Sequence, residues 1–446
     1  MIEHSAATPA LLDMDPMWLS ALLFSLAYIM IVSERLNRAI ISMLAAAGMI
    51  VSGVLTQQQA VQGVDFNTIG LLTGMMIIVA IARDSGVFQY LAIAAVKRVR
   101  AQPWGILVML MLVTAFLSAL LDNVTTVLLI APITILITDT LKIPAYPFLF
   151  AEIFASNIGG TATLIGDPPN IMIGSATGLT YNDFLFNLAP IALLILALTL
   201  IPFYLMWGRH MKADPALIEK VMKYRELDAI KDWHLLKQSM AVLALVMLGF
   251  MFAHDYGIQP ATTAMLGAGV LLMLRCLPHD QQKQTELVTR SMAEVEWITI
   301  FFFIGLFIVV YGVETTGLLE LLAHQVLEFT EGDKAATAMT IMFVSAIASA
   351  LVDNIPFVAT MIPMIQNMAP AFGGQQELIP IWWSLSLGSC LGGNGSLVGA
   401  SANLIVAGFA ERSKQPISFL KFMLLAFPLM LLSVMISAVY VYLRYF

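Results

Sequence analysis

Apolar stretches of about 20 residues follow one another from one end of this sequence to the other, and each is long enough to cross a lipid bilayer. At bilayer depth the backbone must satisfy its own hydrogen bonds, so segments of this length read as helices. Composition agrees. Of 446 residues, 59% are hydrophobic and only 11% are charged, whereas soluble domains carry about 25% charged residues. The expected fold is therefore an all-α polytopic membrane protein surrounded by membrane lipid. Its net charge of −7 argues against a nucleic-acid partner. Cys276 and Cys390 form no metal-binding spacing and read as small buried residues. The acidic start, MIEHSAATPALLDMDPM, lacks a basic n-region, so no cleaved signal peptide is expected.

Ten stretches read as full spans: Trp18–Val32, Ala39–Val54, Thr68–Ala82, Pro147–Ser175, Leu185–Trp207, Met240–Ala253, Ala261–Leu274, Trp297–Gly312, Trp382–Gly408 and Phe422–Leu443. Two more, 104–138 and 336–368, are interrupted by Asp122-Asn123 and Asp353-Asn354. A charge at bilayer depth costs at least about 2.5 kcal/mol, and irregular backbone survives there only inside protein or along a cavity. Both stretches therefore read as re-entrant hairpins with Asp-Asn at the tip; the alternative is two helical pairs that cross fully. Arg35, Arg38, Lys97, Arg98, Arg100, the basic residues of 208–238, Arg275, Lys283, Arg290, Arg412, Lys414 and Lys421 fall on one side, and loops 56–67, 176–183, 254–260 and 369–378 carry no Lys or Arg. This bias puts the N-terminus outside and the basic loops in the cytoplasm of a cell inner membrane. Only Lys334 and Arg444 depart from it.

The sequence also repeats itself. SALLDNVTTVLLIAPITIL from Ser118 matches SALVDNIPFVATMIPMIQN from Ser349, at an offset of 353 − 122 = 231. NIGGTATLIGDPPN (Asn157–Asn170) matches CLGGNGSLVGASAN (Cys390–Asn403), at 403 − 170 = 233. Each half holds about five transmembrane helices plus one hairpin, and an odd number of crossings inverts the second half. The reading is two inverted repeats, 1–207 and 239–446, joined by a cytoplasmic linker at 208–238 with an amphipathic helix. Inverted repeats are frequent in secondary transporters.

Such transporters bind near the midplane, on interrupted helices. Two groups of residues fit. At the hairpin tips, Asp122, Asn123, Thr125 and Thr126 are expected to face Asp353, Asn354 and Thr360, offering oxygens to a hard cation or carboxylates to a proton. The alternative role for these residues is helix capping. In the broken helices (147–175 and 382–408), Asn157, Gly159, Gly160, Thr161, Gly166, Asp167 and Asn170, with Gly392, Gly393, Asn394, Ser396 and Asn403, are expected to open the backbone onto a cavity. Close packing through small residues is the alternative for single glycines. Asp122, Asp353 and Asp167 are the candidate proton carriers; Ala400 stands where a partner to Asp167 would be. Glu152 is a weaker candidate. No Lys or Arg lies within these motifs, which favours a neutral or cationic solute over a multiply charged anion. Neither a catalytic triad nor an ATP-binding loop appears, so no enzyme activity and no cofactor are expected.

DNVTT at the first tip, SNIGGTATLIGDPPN after it, and the second-half DN and GG-N runs resemble the ion transporter superfamily over nearly the whole chain. Within it the sequence looks closest to the branch of arsenite permeases, the melanosomal P protein and NhaD-type sodium/proton antiporters. The resemblance implies a homodimer with a scaffold domain and a mobile transport domain working as an elevator. It also leaves room for a cytoplasmic ATPase subunit. The carboxylate carriers usually have Ser-Asn-Thr at the tip; Asp here favours proton exchange. The leading expectation is proton-coupled efflux of arsenite or antimonite, a small inorganic solute whose hydroxyls would meet the amides of Asn123, Asn170, Asn354 and Asn403. A sodium/proton antiporter on the same aspartates is the first alternative, and a citrate or dicarboxylate carrier the second.

Overall fold

The computed structural model describes residues 14–33 and 35–446, and among these the ordered elements are helical. The reading of the extreme N-terminus lies outside the described residues. The first repeat comprises α1 (Pro16–Val32), α2 (Arg38–Val51), α3 (Gln57–Gln62), α4 (Phe66–Asp84), α5 (Val87–Arg98), α6 (Pro103–Leu120), α7 (Asn123–Leu141), α8 (Tyr146–Thr161), α9 (Pro168–Thr177) and α10 (Tyr181–Phe203). The linker carries only α11 (Pro215–Met222) and a 3₁₀ turn at Glu226–Ala229. The second repeat comprises α12 (Trp233–Phe252), α13 (Pro260–Cys276), α14 (Gln281–Ala293), α15 (Trp297–Thr315), α16 (Leu318–Phe329), α17 (Lys334–Leu351), α18 (Asn354–Gln366), α19 (Ala369–Phe372), α20 (Ile379–Gly392), α21 (Ser401–Arg412) and α22 (Phe419–Tyr445). The first membrane helix of the second half thus begins at Trp233, inside the segment read as linker.

The pseudo-symmetry is visible in single contacts. Ser118 Oγ donates to Ser156 O, and its counterpart Ser349 Oγ to Ser389 O, both at 2.6 Å. Thr163 Oγ1 donates to Ala119 O just as Ser396 Oγ does to Ala350 O, again at 2.6 Å. The partners α4 with α13 and α15 with α2 are exchanged between repeats. Helices α1, α2, α4, α12, α13 and α15 pack into one body; the hairpins α6–α7 and α17–α18, the broken helices α8–α9 and α20–α21, and α10 and α22 pack into another.

The hairpins enter from opposite ends of the molecule. The open end of α6–α7 lies at the linker: Lys97, just before α6, pairs with Glu226, and Thr140 near the end of α7 lies 3.2 Å from Tyr224 Oη. The carboxyl end of α4 is there too, since Lys231 N donates to Ser85 O. The open end of α17–α18 lies at the other end of α4, where Gln366 Nε2 donates to Ala176 O and Ser175 Oγ donates to the Asp65 carboxylate. A 19-residue helix is about 28 Å long, so these ends sit on opposite sides of a bilayer core. The linker end, which also carries Arg209, Arg275 and Arg412, is called the basic face below.

Two helices were hidden in the apolar pattern. α5 and α16, 12 residues each, are about 18 Å long and too short to cross. Each follows a glycine in the left-handed region, Gly86 at φ 87° and Gly317 at φ 86°. They join the two bodies as equivalent arms.

Candidate functional site

The tips are made by capping. Leu121 and Val352 end the inbound arms, and Asp122 and Asp353 start the outbound ones as N-caps. Asp122 accepts from Thr125 N at 2.7 Å and Thr125 Oγ1 at 2.5 Å; Asp353 accepts from Ile355 N at 3.1 Å. The capping role considered for these aspartates is therefore present, and both also border a pocket. Asp167 differs. It holds the N-cap position of α9, but Pro168 and Pro169 follow it and its side chain makes no capping bond. Asp167 instead faces the opposite tip, where Asn354 Nδ2 lies 3.3 Å and 3.4 Å from its two oxygens. The GDPPN run thus leaves a carboxylate uncommitted by its own backbone.

The two tips meet Asp167 around a pocket of about 20 Å³, lined by Asp122, Asn123, Asp167, Asn354, Ser401 and, from the first body, Arg38, Glu296 and Thr299. It adjoins a mouth of about 350 Å³ bordered by Val32, Leu36, Asn37, Glu296, Asp353 and Ile405. Glu296 lies at the basic end of the first body, since its neighbour Glu294 pairs with Arg83 at the end of α4. The mouth therefore opens toward the basic face.

Arg38 corrects the sequence reading, which had it as a loop charge and expected no cation at the site. It pairs with Asp353, donates to Ser401 Oγ at 2.6 Å, and its guanidinium lies 4.9 Å from the centre of the Phe302 ring. Ser401 Oγ in turn donates to Asp353 at 2.7 Å. Glu296, which accepts from Thr299 Oγ1 at 3.2 Å, was also missed. Four carboxylates now stand against one guanidinium, itself already paired. Thr360 is not at the tip: its hydroxyl is 2.5 Å from Tyr28 Oη, on α1.

The remaining candidates form the frame behind the pocket. Asn157 is its hub. It accepts from Asn123 Nδ2 at 3.3 Å and donates to Asn394 Oδ1 at 3.0 Å and Asn403 Oδ1 at 3.1 Å, tying the repeats together. Asn170 Nδ2 reaches three carbonyls, those of Gly160, Thr161 and Thr163, and its Oδ1 accepts from Ser386 Oγ at 2.6 Å. Asn403 Nδ2 donates likewise to Gly393 O and Ser396 O. Their amides are thus committed to the helix breaks, against the expectation that they face a solute. Thr126 is buried beside the tip, with no partner for its hydroxyl among the described residues. Thr161 Oγ1 bonds back to Asn157 O at 2.7 Å.

The glycines serve close approach. A Cβ at Gly159 would lie 2.2 Å from Ala115 O and one at Gly392 2.6 Å from Ala346 O; Gly160 and Gly393 face the next turns of their own breaks. At Gly166 a Cβ would meet both Gly160 O and Ser118 O at 2.6 Å. Gly166→Ala is therefore expected to destabilise the protein by about 1–3 kcal/mol, a loss that thermal unfolding in detergent reads directly.

Two inverted repeats, opposed hairpins and a polar pocket where their tips meet define a membrane transporter. The comparisons narrow the class. Residues 28–388 match the citrate transporter family, CitMHS, and the chain belongs to that family. It is 42% identical to an uncharacterized transporter of Mycobacterium tuberculosis, covering 95% of this chain and 97% of that one. It is 33% identical to the P protein of Sus scrofa over 95% of this chain but 59% of that longer protein. Among solved structures, the Alcanivorax borkumensis YdaH transporter superposes with a TM-score of 0.61 at 15% identity, covering 96% of this chain and 98% of that one. Neisseria gonorrhoeae MtrF superposes at 0.60 and 12%, covering 97% and 95%. At those identities the likeness is one of fold.

Proposed function

We propose that this chain is a proton-coupled secondary transporter that exports arsenite or antimonite across a cell inner membrane, with its basic face in the cytoplasm and its N-terminus outside. The body carrying both hairpins and both broken helices moves as an elevator against the other. The observation that carries the reading is the charge of the pocket. Asp122, Asp167, Asp353 and Glu296 outnumber Arg38, so a citrate trianion would meet net repulsion. Arsenite is neutral near pH 7, compact, and offers hydroxyls to the amides of Asn123 and Asn354. Asp122 and Asp167, free of any cation among the described residues, alternate between proton and solute.

Sodium/proton exchange is the second reading, supported by the same excess of carboxylates. Against it, the carbonyls at both helix breaks, which could cage sodium, are already taken by the amides of Asn170 and Asn403. The family description favours citrate, and Arg38 is, among the described residues, the one cationic side chain lining the pocket. Proteoliposomes with an imposed pH gradient separate the three. Arsenite movement that collapses with the gradient supports the proposal. Sodium or citrate movement without arsenite overturns it.

A further inference from the structure

Asp122 and Asp353 occupy equivalent places in the two repeats, yet only Asp353 holds a cation. The helices that pack across the repeats explain the difference. Ser42 of α2 and Ala264 of α13 make the equivalent contacts on Gly305 and Gly74, an offset of 264 − 42 = 222. Arg38 therefore corresponds to position 38 + 222 = 260, which is Pro260. One tip has a guanidinium waiting for it and the other has none.

Arg38 stands on the first body, at the start of α2 and over the Phe302 ring of α15. Both groups it binds, Asp353 and Ser401, belong to the second body. Among the described residues this is the one ion pair between the two bodies; the others lie within a body, within the linker or within α14, or tie an arm to the linker. The remaining polar contacts across that boundary, Tyr28 with Pro356 O and Thr360, Asp65 and Asn67 with Ser175, and Asn182 with Met251 O, each include a neutral partner. The pair is also placed where movement matters. It closes one wall of the mouth toward the basic face, and any displacement of the second-hairpin tip toward the opposite face must break it.

We propose that Arg38 is a positioning latch: an internal cation on the static body that holds the second-hairpin tip, through Asp353 and Ser401, in the state open to the basic face. The latch rests on the reading that one body moves against the other. Asp353 then serves the latch while Asp122 and Asp167 serve the exchange, so two aspartates equivalent in sequence divide the work. Release requires another partner for the Asp353 carboxylate, and a proton or cation entering by the mouth is the group placed to supply it.

The test needs no solute. Ile405→Cys, at the mouth, is placed in a Cys276→Ser background and labelled from the basic face with a membrane-impermeant maleimide. With Arg38→Met or Asp353→Asn, labelling is expected to slow about five-fold as the open state loses population. Arg38→Lys, which keeps the charge but loses the guanidinium's stacking on Phe302, is expected to label faster than Arg38→Met, a partial rescue that a purely steric role would not produce. Unchanged labelling in both Arg38→Met and Asp353→Asn overturns the latch. If the single variants do not fold, the exchanged pair Arg38→Asp with Asp353→Arg decides: parental labelling supports the latch, and a five-fold fall overturns it. A failed arsenite flux leaves this result standing, and a failed latch leaves the choice of solute untouched.

Discussion

Asp167→Asn is expected to leave a folded protein that no longer couples. Its carboxylate is fully buried, is followed by two prolines that offer it no N–H, and is reached by the amide of Asn354 only at 3.3 Å. Replacing a buried carboxylate by its amide removes an ion from a low-dielectric site and keeps the shape, which is neutral or stabilising for the fold. It also removes the group able to exchange a proton at the place where both tips converge. Solute flux driven by a pH gradient should fall about 100-fold or more, while the melting temperature in detergent holds or rises. Flux and melting measured on the same preparation check both halves. Native flux from this variant would remove Asp167 from the coupling path.

Asn157→Leu is expected to do the reverse and damage the fold first. One amide joins Asn123 of the first hairpin to Asn394 and Asn403 of the second broken helix. Leucine keeps the branching and removes all three bonds, leaving polar groups orphaned at the centre of the second body. Hydrogen bonds between membrane helices contribute about 0.6 kcal/mol on average and up to about 1.7, so the loss of three comes to about 2–5 kcal/mol. Thermal unfolding should show it as an earlier transition. A transition unchanged from the native one would mean that the two repeats are held together elsewhere.

The elements easiest to read from sequence were those whose cause is local. An Asp-Asn pair inside an apolar run of some 35 residues must break a helix, and the breaks fall at Leu121 and Val352, one residue before each aspartate. The inverted repeat followed from a near-constant offset, because both halves keep the same capping and close-packing residues. α5 and α16 were not legible. VFQYLAIAAVKR is apolar enough to pass for the tail of α4, and the turn that separates them rests on a single glycine, Gly86.

At the site the limits were different. The glycine runs and Asn170 signalled a broken helix, but sequence does not distinguish a backbone opened to a solute from one pressed against a neighbour. That depends on Ala115, Ser118 and Ala346, whose approach is a tertiary fact. Arg38 was misread for a similar reason. A charge just before a membrane helix reads as a marker of the cytoplasmic side, and nothing local reveals that the tip of a hairpin 315 residues away reaches the same depth. The correction matters for mechanism, because it converts a site thought free of cations into an acidic pocket with one built-in counter-ion.

The central claim, that this pocket exchanges protons for a compact neutral solute, is tested most directly by reversing the driving force. Proteoliposomes are loaded with a pH-sensitive dye at equal internal and external pH, and arsenite is added on one side only. The account predicts that the arsenite gradient alone moves protons the opposite way, and that Asp167→Asn abolishes the signal. Proton movement driven by a citrate gradient and not by arsenite would contradict it.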